Sequence, residues 1–381
     1  MLHNRELLLK TMELRGMDAI VAAKPENTIY LTDFHVIGSR TIKKRLSYVI
    51  YFRSREIEPV ALIPFIDLGH FRDISWIPRD NVYPFTEFPT DKDDGIVTDK
   101  FAFIHRAIAE RGLAGGVVGI ELDFLPAGIV ECFKSALPEA KIVDASEVLS
   151  VARSVKTSDE IDRLRWAAKA TEAGCYKLME MAAKESTEME AIIAARTASM
   201  AEGAETVGFS AVGGGPRSYM PHNNARNERI VHGEVFHFDY GVLYDAYWGD
   251  LARSYVFGKK PTAEAQRVYD VVLATQQAGV KAVKPGVRAM DIFEAAVREG
   301  KKLDPTLRRE HVGHGLGLEV HEEPLLIKDN EMVMQAGMVI CVEVSRHVPG
   351  VGGFQVEDTL IVTGDGYEVL STMPRTLYLD M

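Results

Sequence analysis

Two glutamates sit where a carboxylate is hardest to accommodate. Glu343 follows the run Met338-Val339-Ile340-Cys341-Val342, Glu357 precedes Thr359-Leu360-Ile361-Val362, and the breaker loop Pro349-Gly350-Val351-Gly352-Gly353 lies between them. The apolar runs read as β-strands and the loop as the turn joining them. Folding about Gly350 places Glu343 opposite Glu357. Burying a carboxylate inside such a strand without a partner is costly, so this hairpin calls for a compensating positive charge.

A second stretch poses the same problem. Phe238-Asp239-Tyr240-Gly241 and Trp248-Gly249-Asp250 read as two strands around a turn, and with Tyr244-Asp245 as a two-residue loop Asp239 stands directly opposite Asp250. Carboxylates that close repel unless one stays protonated or a cation lies between them. The plain alternative is a solvated pair flanking a turn. A third element is Gly313-His314-Gly315-Leu316-Gly317, whose glycines let the backbone approach closely and leave His314 open to a ligand. One imidazole with four carboxylates suits a pair of divalent cations of the manganese, cobalt, iron or zinc kind.

The bulk properties narrow the setting. A chain of 381 residues exceeds what one core usually holds, so two domains are expected. The formal charge of −11 gives no long-range attraction to nucleic acid or anionic membrane, and no apolar run is long enough for a membrane span. Cys132, Cys175 and Cys341 are isolated, which excludes a thiolate zinc site and reads as buried packing in a reducing compartment. Arg5, Lys10 and Glu13 break any signal-peptide core, so the expected location is the cytoplasm.

Along the chain, residues 5–15, 101–111 and 129–136 read as helices, and 19–23, 46–52, 59–64 and 117–120 as strands, an α/β layer pattern without a catalytic motif. Near residue 155 the texture changes. Thr157 and Glu160 form a capping box ahead of a long helix, which sets the domain boundary just before it. Two helix pairs follow, about 158–184 with 187–203 and 262–282 with 289–302, each leading into strands, 206–256 and 311–363. This coarse duplication suggests two helix-plus-sheet halves facing each other across a cleft.

Together these landmarks resemble the metal-dependent aminopeptidase and prolidase superfamily of pita-bread fold. They are Asp239, Asp250, the Gly313-His314-Gly315 motif, His321, Glu343 and Glu357, in that order. The layout resembles the creatinase, prolidase and aminopeptidase P branch: an N-terminal α/β domain over residues 1–155 and an α+β pita-bread catalytic domain over 156–381. The resemblance implies two divalent metal ions (manganese, cobalt, zinc or iron) held by Asp239, Asp250, His314, Glu343 and Glu357, with Asp250 and Glu357 bridging. It implies that His222 and His321 hydrogen-bond the scissile carbonyl or the leaving group, and that Glu343 shuttles the proton of the attacking water. It further implies a homodimer. The leading expectation is a hydrolase of an Xaa-Pro dipeptide or short peptide; the alternatives are a hydrolase of a small non-peptide amide or amidine, and a binding protein that reuses the fold.

Three positions depart from the family pattern. Val344 follows Glu343 where peptidases usually have proline, Gln355 stands two residues before the last glutamate where dipeptidases commonly carry arginine, and Glu310 and His311 precede His314 where several members have a histidine four residues before it. All three adjoin ligands and tune them rather than replace them. Arg217 and Arg226 flank His222 as receivers of a substrate carboxylate or as solvent-facing residues. Tyr240, Tyr244, Tyr247 and Trp248 read as packing, and His232, His237 and His347 as structural or surface residues.

Overall fold

Apolar runs too short for helices set the first part of the chain. Strands β1 (Ala19–Ala22), β2 (Tyr48–Phe52) and β3 (Val60–Pro64) are buried along their whole length, as expected where both faces of a sheet are covered. The structure is a computed structural model and describes residues 2–36, 46–87 and 95–381. Two units result, Met1–Arg153 and Ser154–Met381.

In the first unit, β4 (Val82–Phe85), β5 (Val117–Ile120) and β6 (Lys141–Asp144) complete a six-stranded sheet of order β4-β3-β2-β1-β5-β6. The β1–β2 and β2–β3 pairings are antiparallel and the other three parallel. Helices α1 (Arg5–Leu14), α2 (Pro25–Thr32), α3 (Leu68–Ile74), α4 (Lys100–Ala109), α5 (Ala127–Ala136) and α6 (Ser146–Ser154) accompany it. Helix α2 was not legible in the sequence. Its amino end is satisfied by the buried carboxylate of Glu121, which accepts from the N–H groups of Ala23 and Lys24 and from the Asn27 amide.

The second unit opens with the expected capping box. The Thr157 hydroxyl accepts from Glu160 N, and the Glu160 carboxylate accepts from Thr157 N at 2.8 Å, starting α7 (Ser158–Ala183). Thr187 and Glu190 repeat the device for α8 (Glu188–Ala201). This helix pair packs on β7 (Thr206–Gly214), β8 (Val235–Tyr244) and β9 (Tyr247–Phe257), and the short β14 (Tyr378–Leu379) extends their sheet to the order β14-β9-β8-β7. The second pair, α9 (Ala263–Ala282) and α10 (Ala289–Leu303), packs on the sheet β10-β11-β12-β13, formed by Gly313–Gly315, Val339–Val348, Gly352–Val362 and Tyr367–Val369. The duplication is therefore structural, and the halves meet through β9 and β12. Ser254 Oγ donates to Gly353 O at 3.0 Å, Thr359 Oγ1 donates to Asp250 O at 3.0 Å, and the fully buried Arg253 holds Asp358 at 2.7 Å.

One hairpin register is as expected and one is not. Glu343 pairs with Glu357 across β11 and β12. In the other hairpin the loop is Asp245-Ala246, with Tyr244 paired to Tyr247, so Asp250 faces Gly241 and Asp239 faces Ala252. Asp239 and Asp250 are thus diagonal neighbours on one face instead of a directly opposed pair. The cause is the turn itself. Asp245 and Ala246 take φ of 46° and 71°, the left-handed pair that a two-residue hairpin loop requires, and alanine does not advertise that conformation in sequence. The hairpin aromatics pack as expected: Tyr240 and Tyr247 are fully buried, and Tyr244 stacks on Trp166 with centroids 6.0 Å apart.

Glu160 also accepts from Tyr247 Oη at 3.0 Å and is 1% exposed. Burial outweighs those hydrogen bonds and the charge of Lys156 and pushes its carboxyl up to about 7. A raised carboxyl binds its proton more tightly in the folded chain. The stability linked to that proton is therefore present below the unfolded pKa and is lost as pH rises through about 7. Glu160→Gln keeps a capping side chain without this titration. Between about pH 5 and pH 8 the variant should gain on the wild type by about 3 kcal/mol in chemical denaturation. A difference that stays constant with pH contradicts this reading.

Candidate metal centre

The glycines around His314 bring strand β10 against β11. A side chain at Gly313, where φ is 149°, would meet Cys341 O at 2.0 Å, and one at Gly315 would meet Glu323 O at 2.4 Å. With both absent, His314 pairs with Cys341 in the ladder and its ring is fixed by a hydrogen bond from Nδ1 to Gly315 O at 3.1 Å. Nε2 is then the nitrogen that faces the carboxylates. It lies 3.5 Å from Glu343 Oε1, 3.9 Å from Asp250 Oδ2 and 4.0 Å from Glu357 Oε1. Asp239 joins through Gln355, whose Nε2 donates to Asp239 Oδ2 at 3.2 Å and to Glu343 Oε2 at 3.0 Å.

All seven residues singled out in the sequence, His222, Asp239, Asp250, His314, His321, Glu343 and Glu357, line one cavity of about 540 Å³ within the second unit. His321 stacks on His314, with ring centroids 3.8 Å apart at 21°. His222 stands exposed on the cavity wall. His311, noted only as a departure, brings Nδ1 within 3.6 Å of Glu343 Oε1. Cys341 reads as packing in the sequence, yet its sulfur lies within 4.8 Å of ligand atoms of Asp250, His314 and Glu357. Burial pushes that thiol well above its usual range, which keeps it protonated and a packing group. Cys132 is exposed, contrary to the buried packing expected of all three cysteines.

Electrostatics explain what the cluster needs. Burial, then the charge of Glu343, pushes Asp239 up to about 7, and burial with neighbouring carboxylates pushes Asp250 and Glu357 well above the normal range. Burial opposes ionisation of Glu343 as well, but His314, His311 and Arg309 outweigh it and bring that carboxyl down to about 2. Burial disfavours a charged His314, yet its contact with Glu343 and the charge of Asp250 raise its pKa. Desolvation and His314 lower His321 to about 4, so its ring is neutral at neutral pH. Asp250 Oδ1 and Glu357 Oε1 are buried without a hydrogen-bond partner among the described residues. Orphaned carboxylate oxygens beside the Nε2 of His314 fit divalent cations with oxygen and nitrogen preferences.

Supporting contacts lie outside what the sequence disclosed. Buried Glu188 clamps the loop that carries His222: Oε1 accepts from Gly214 N at 2.9 Å and Arg217 Nε at 3.3 Å, and Oε2 accepts from Arg226 N at 2.9 Å. Arg217 is thereby committed, and it also donates to Asn224 O at 2.7 Å. Arg226 is exposed, with Glu228 3.5 Å away. Arg196 of α8 lines the cavity and forms no ion pair or hydrogen bond among the described residues. The loop bearing His321 is anchored by a buried ion pair, Lys156 Nζ to Glu322 Oε1 at 2.8 Å, and by Trp248, whose Nε1 donates to Leu318 O at 3.1 Å.

The cavity thus lies where the two sheet-and-helix halves of the second unit meet. Residues 162–364 match the model of metallopeptidase family M24 and residues 5–155 that of the creatinase/prolidase N-terminal domain, and the chain belongs to family M24. It is 28% identical over 378 residues to the Xaa-Pro dipeptidase of Pyrococcus furiosus, covering 98% of each chain. It is 34% identical over 362 residues to an uncharacterized peptidase of Staphylococcus aureus, covering 93% of this chain and 94% of that one. The prolidase from Pyrococcus horikoshii OT3 superposes with a TM-score of 0.81 at 25% identity, over 98% of this chain and 99% of the other.

The Lys156–Glu322 pair gives a direct test of how the His321 loop is held. Lys156→Met leaves a buried carboxylate without its cation and should destabilise the fold by about 3–5 kcal/mol. Adding Glu322→Gln should recover most of that loss. Equal denaturation midpoints for wild type and K156M contradict the anchoring role.

Proposed function

We propose that this chain is an Xaa-Pro dipeptidase with two divalent ions in its cavity. The observation that carries the reading is the convergence of three carboxylates, Asp250, Glu343 and Glu357, on Nε2 of His314, with Asp239 in the same cavity and two of the carboxylate oxygens buried and orphaned. The preference for an Xaa-Pro bond is supported by the relatives from Pyrococcus, an Xaa-Pro dipeptidase and a prolidase. We assign the ions to Asp239, Asp250, His314, Glu343 and Glu357, with Asp250 and Glu357 between them; manganese, cobalt, zinc and iron all suit this donor set. We place the domain boundary at residues 155 and 156, and we expect a cytoplasmic homodimer. Among the described residues no helix is long and apolar enough to cross a membrane.

Divalent ions held by these residues would supply a water of near-neutral pKa and a Lewis acid for the substrate carbonyl. The chain's own residues do the rest. Glu343 takes the proton of the attacking water and returns it to the leaving nitrogen. His321, neutral and stacked on His314, is placed to hydrogen-bond the substrate at one side of the cavity, and His222 at another. A dipeptide also carries a free carboxylate. Arg217 is held by Glu188, which leaves Arg196 as the cavity-lining guanidinium available to receive it.

Turnover should be lost in Asp250→Asn and in Glu357→Gln while the fold persists, and a panel pairing Xaa-Pro dipeptides with small non-peptide amides should show hydrolysis of the dipeptides. Turnover of the small amides alone contradicts the substrate assignment. Arg196→Ala should raise KM for the dipeptide about tenfold or more, as for loss of a charge-assisted contact, with kcat little changed; an unchanged KM removes Arg196 from that role.

Metal binding should also depend on pH. Asp239, Asp250 and Glu357 all hold their protons more tightly than free carboxyls. Cations must displace those protons, so metal affinity should rise between about pH 5.5 and pH 7.5 with protons released on binding. Calorimetric titration at both pH values checks this, and affinity independent of pH contradicts it.

A further inference from the structure

The amide of Gln355 lies where two sheets bring their carboxylates together. Asp239 belongs to β8 of one sheet and Glu343 to β11 of the other, and Gln355 Nε2 is within hydrogen-bond reach of both, at 3.2 and 3.0 Å. The residue is 4% exposed, and its backbone N donates to Ser254 Oγ at 2.9 Å, which ties β12 to β9. Carboxylates that hold cations have given up their protons and only accept hydrogen bonds, so in that state the amide nitrogen must face them and the amide oxygen must face away. That oxygen meets His237 Nε2 at 3.0 Å. An amide oxygen also only accepts, so His237 carries its hydrogen on Nε2 and donates it. His237 is 1% exposed and precedes Asp239 by two residues on the same strand face.

We propose that His237 and Gln355 are a pair of positioning residues that aim the ligand carboxylates: His237 fixes the amide orientation, and the amide holds Asp239 Oδ2 and Glu343 Oε2 so that the other oxygens face the ion site. This rests on the ligand assignment made above. Glu343 Oε1, the oxygen left free by Gln355, is the one 3.5 Å from His314 Nε2. Because an amide is neutral, it orients both carboxylates without offsetting their charge, and that charge stays available to cations. Hydrogen-bond partners of metal ligands of this kind contribute about 10–100-fold to metal affinity.

The test is the affinity of the full-length protein for manganese, measured by competition with a chelator. Gln355→Met keeps the side-chain length and removes both hydrogen-bonding ends; it should bind manganese about 10–100-fold more weakly than wild type. His237→Phe should weaken binding about tenfold, and His237→Gln, which restores an N–H donor, should recover it. The double variant Q355M/H237F should bind no more weakly than Q355M, because His237 acts only through the amide. Should Q355M fail to fold, H237F and its rescue by H237Q decide the matter. Affinities of the folded single variants within about twofold of wild type, or losses that add in the double variant, overturn the proposal. A wild-type protein that binds no divalent ion overturns the metal centre itself, and with it this inference.

Discussion

Four carboxylates share one buried pocket, and their mutual repulsion is the constraint around which the second unit is built. Left without cations, Asp239, Asp250 and Glu357 keep protons that free carboxyls release, and only Glu343, held by His314, is pulled down to about 2. Such a pocket is stable only if the scaffold is strong enough to hold repelling groups together. The scaffold is two twisted hairpins, each backed by a helix pair, that meet through β9 and β12. The junction is itself tied by buried polar contacts, Arg253 to Asp358 and Ser254 to Gly353. These fix the separation between hairpins and hence the distance between ligands on different sheets.

Loops complete what the strands begin. His321 and His222 come from irregular segments, each secured by a buried charge: Lys156 with Glu322 for one, Glu188 with Arg217 for the other. Buried ion pairs are costly to form and costlier to break. Their presence beneath both histidine loops fixes the placement of the two imidazoles at the cavity wall. The sequence repeats this economy at the helix starts, where two capping boxes position α7 and α8 under the sheet that carries Asp239 and Asp250.

How much of this was legible depended on how strongly each residue violates its surroundings. Glu343 and Glu357 interrupt strongly apolar strands, and their pairing follows from counting out from Gly350, so both their burial and their register could be read. The sequence pattern of the Asp239 and Asp250 hairpin points to a register two residues from the one observed, because its left-handed loop is Asp-Ala, without glycine or asparagine to mark it. The parity survived the error, so both aspartates still share a face. Helix α2 was invisible, since Pro25-Glu26-Asn27-Thr28-Ile29 carries no helical periodicity and its amino end is satisfied by Glu121, about a hundred residues away in the chain. Gln355 and His237 showed in the sequence as a departure and as a structural residue. Their connection is made only by the approach of β8 to β12, which no local pattern encodes.

The count of ions per chain tests the account most directly. Anomalous diffraction from crystals grown with manganese should show two ion peaks per chain, each within bonding distance of Asp250 and Glu357. A cavity with no anomalous peak, its carboxylates protonated and paired with one another, contradicts it.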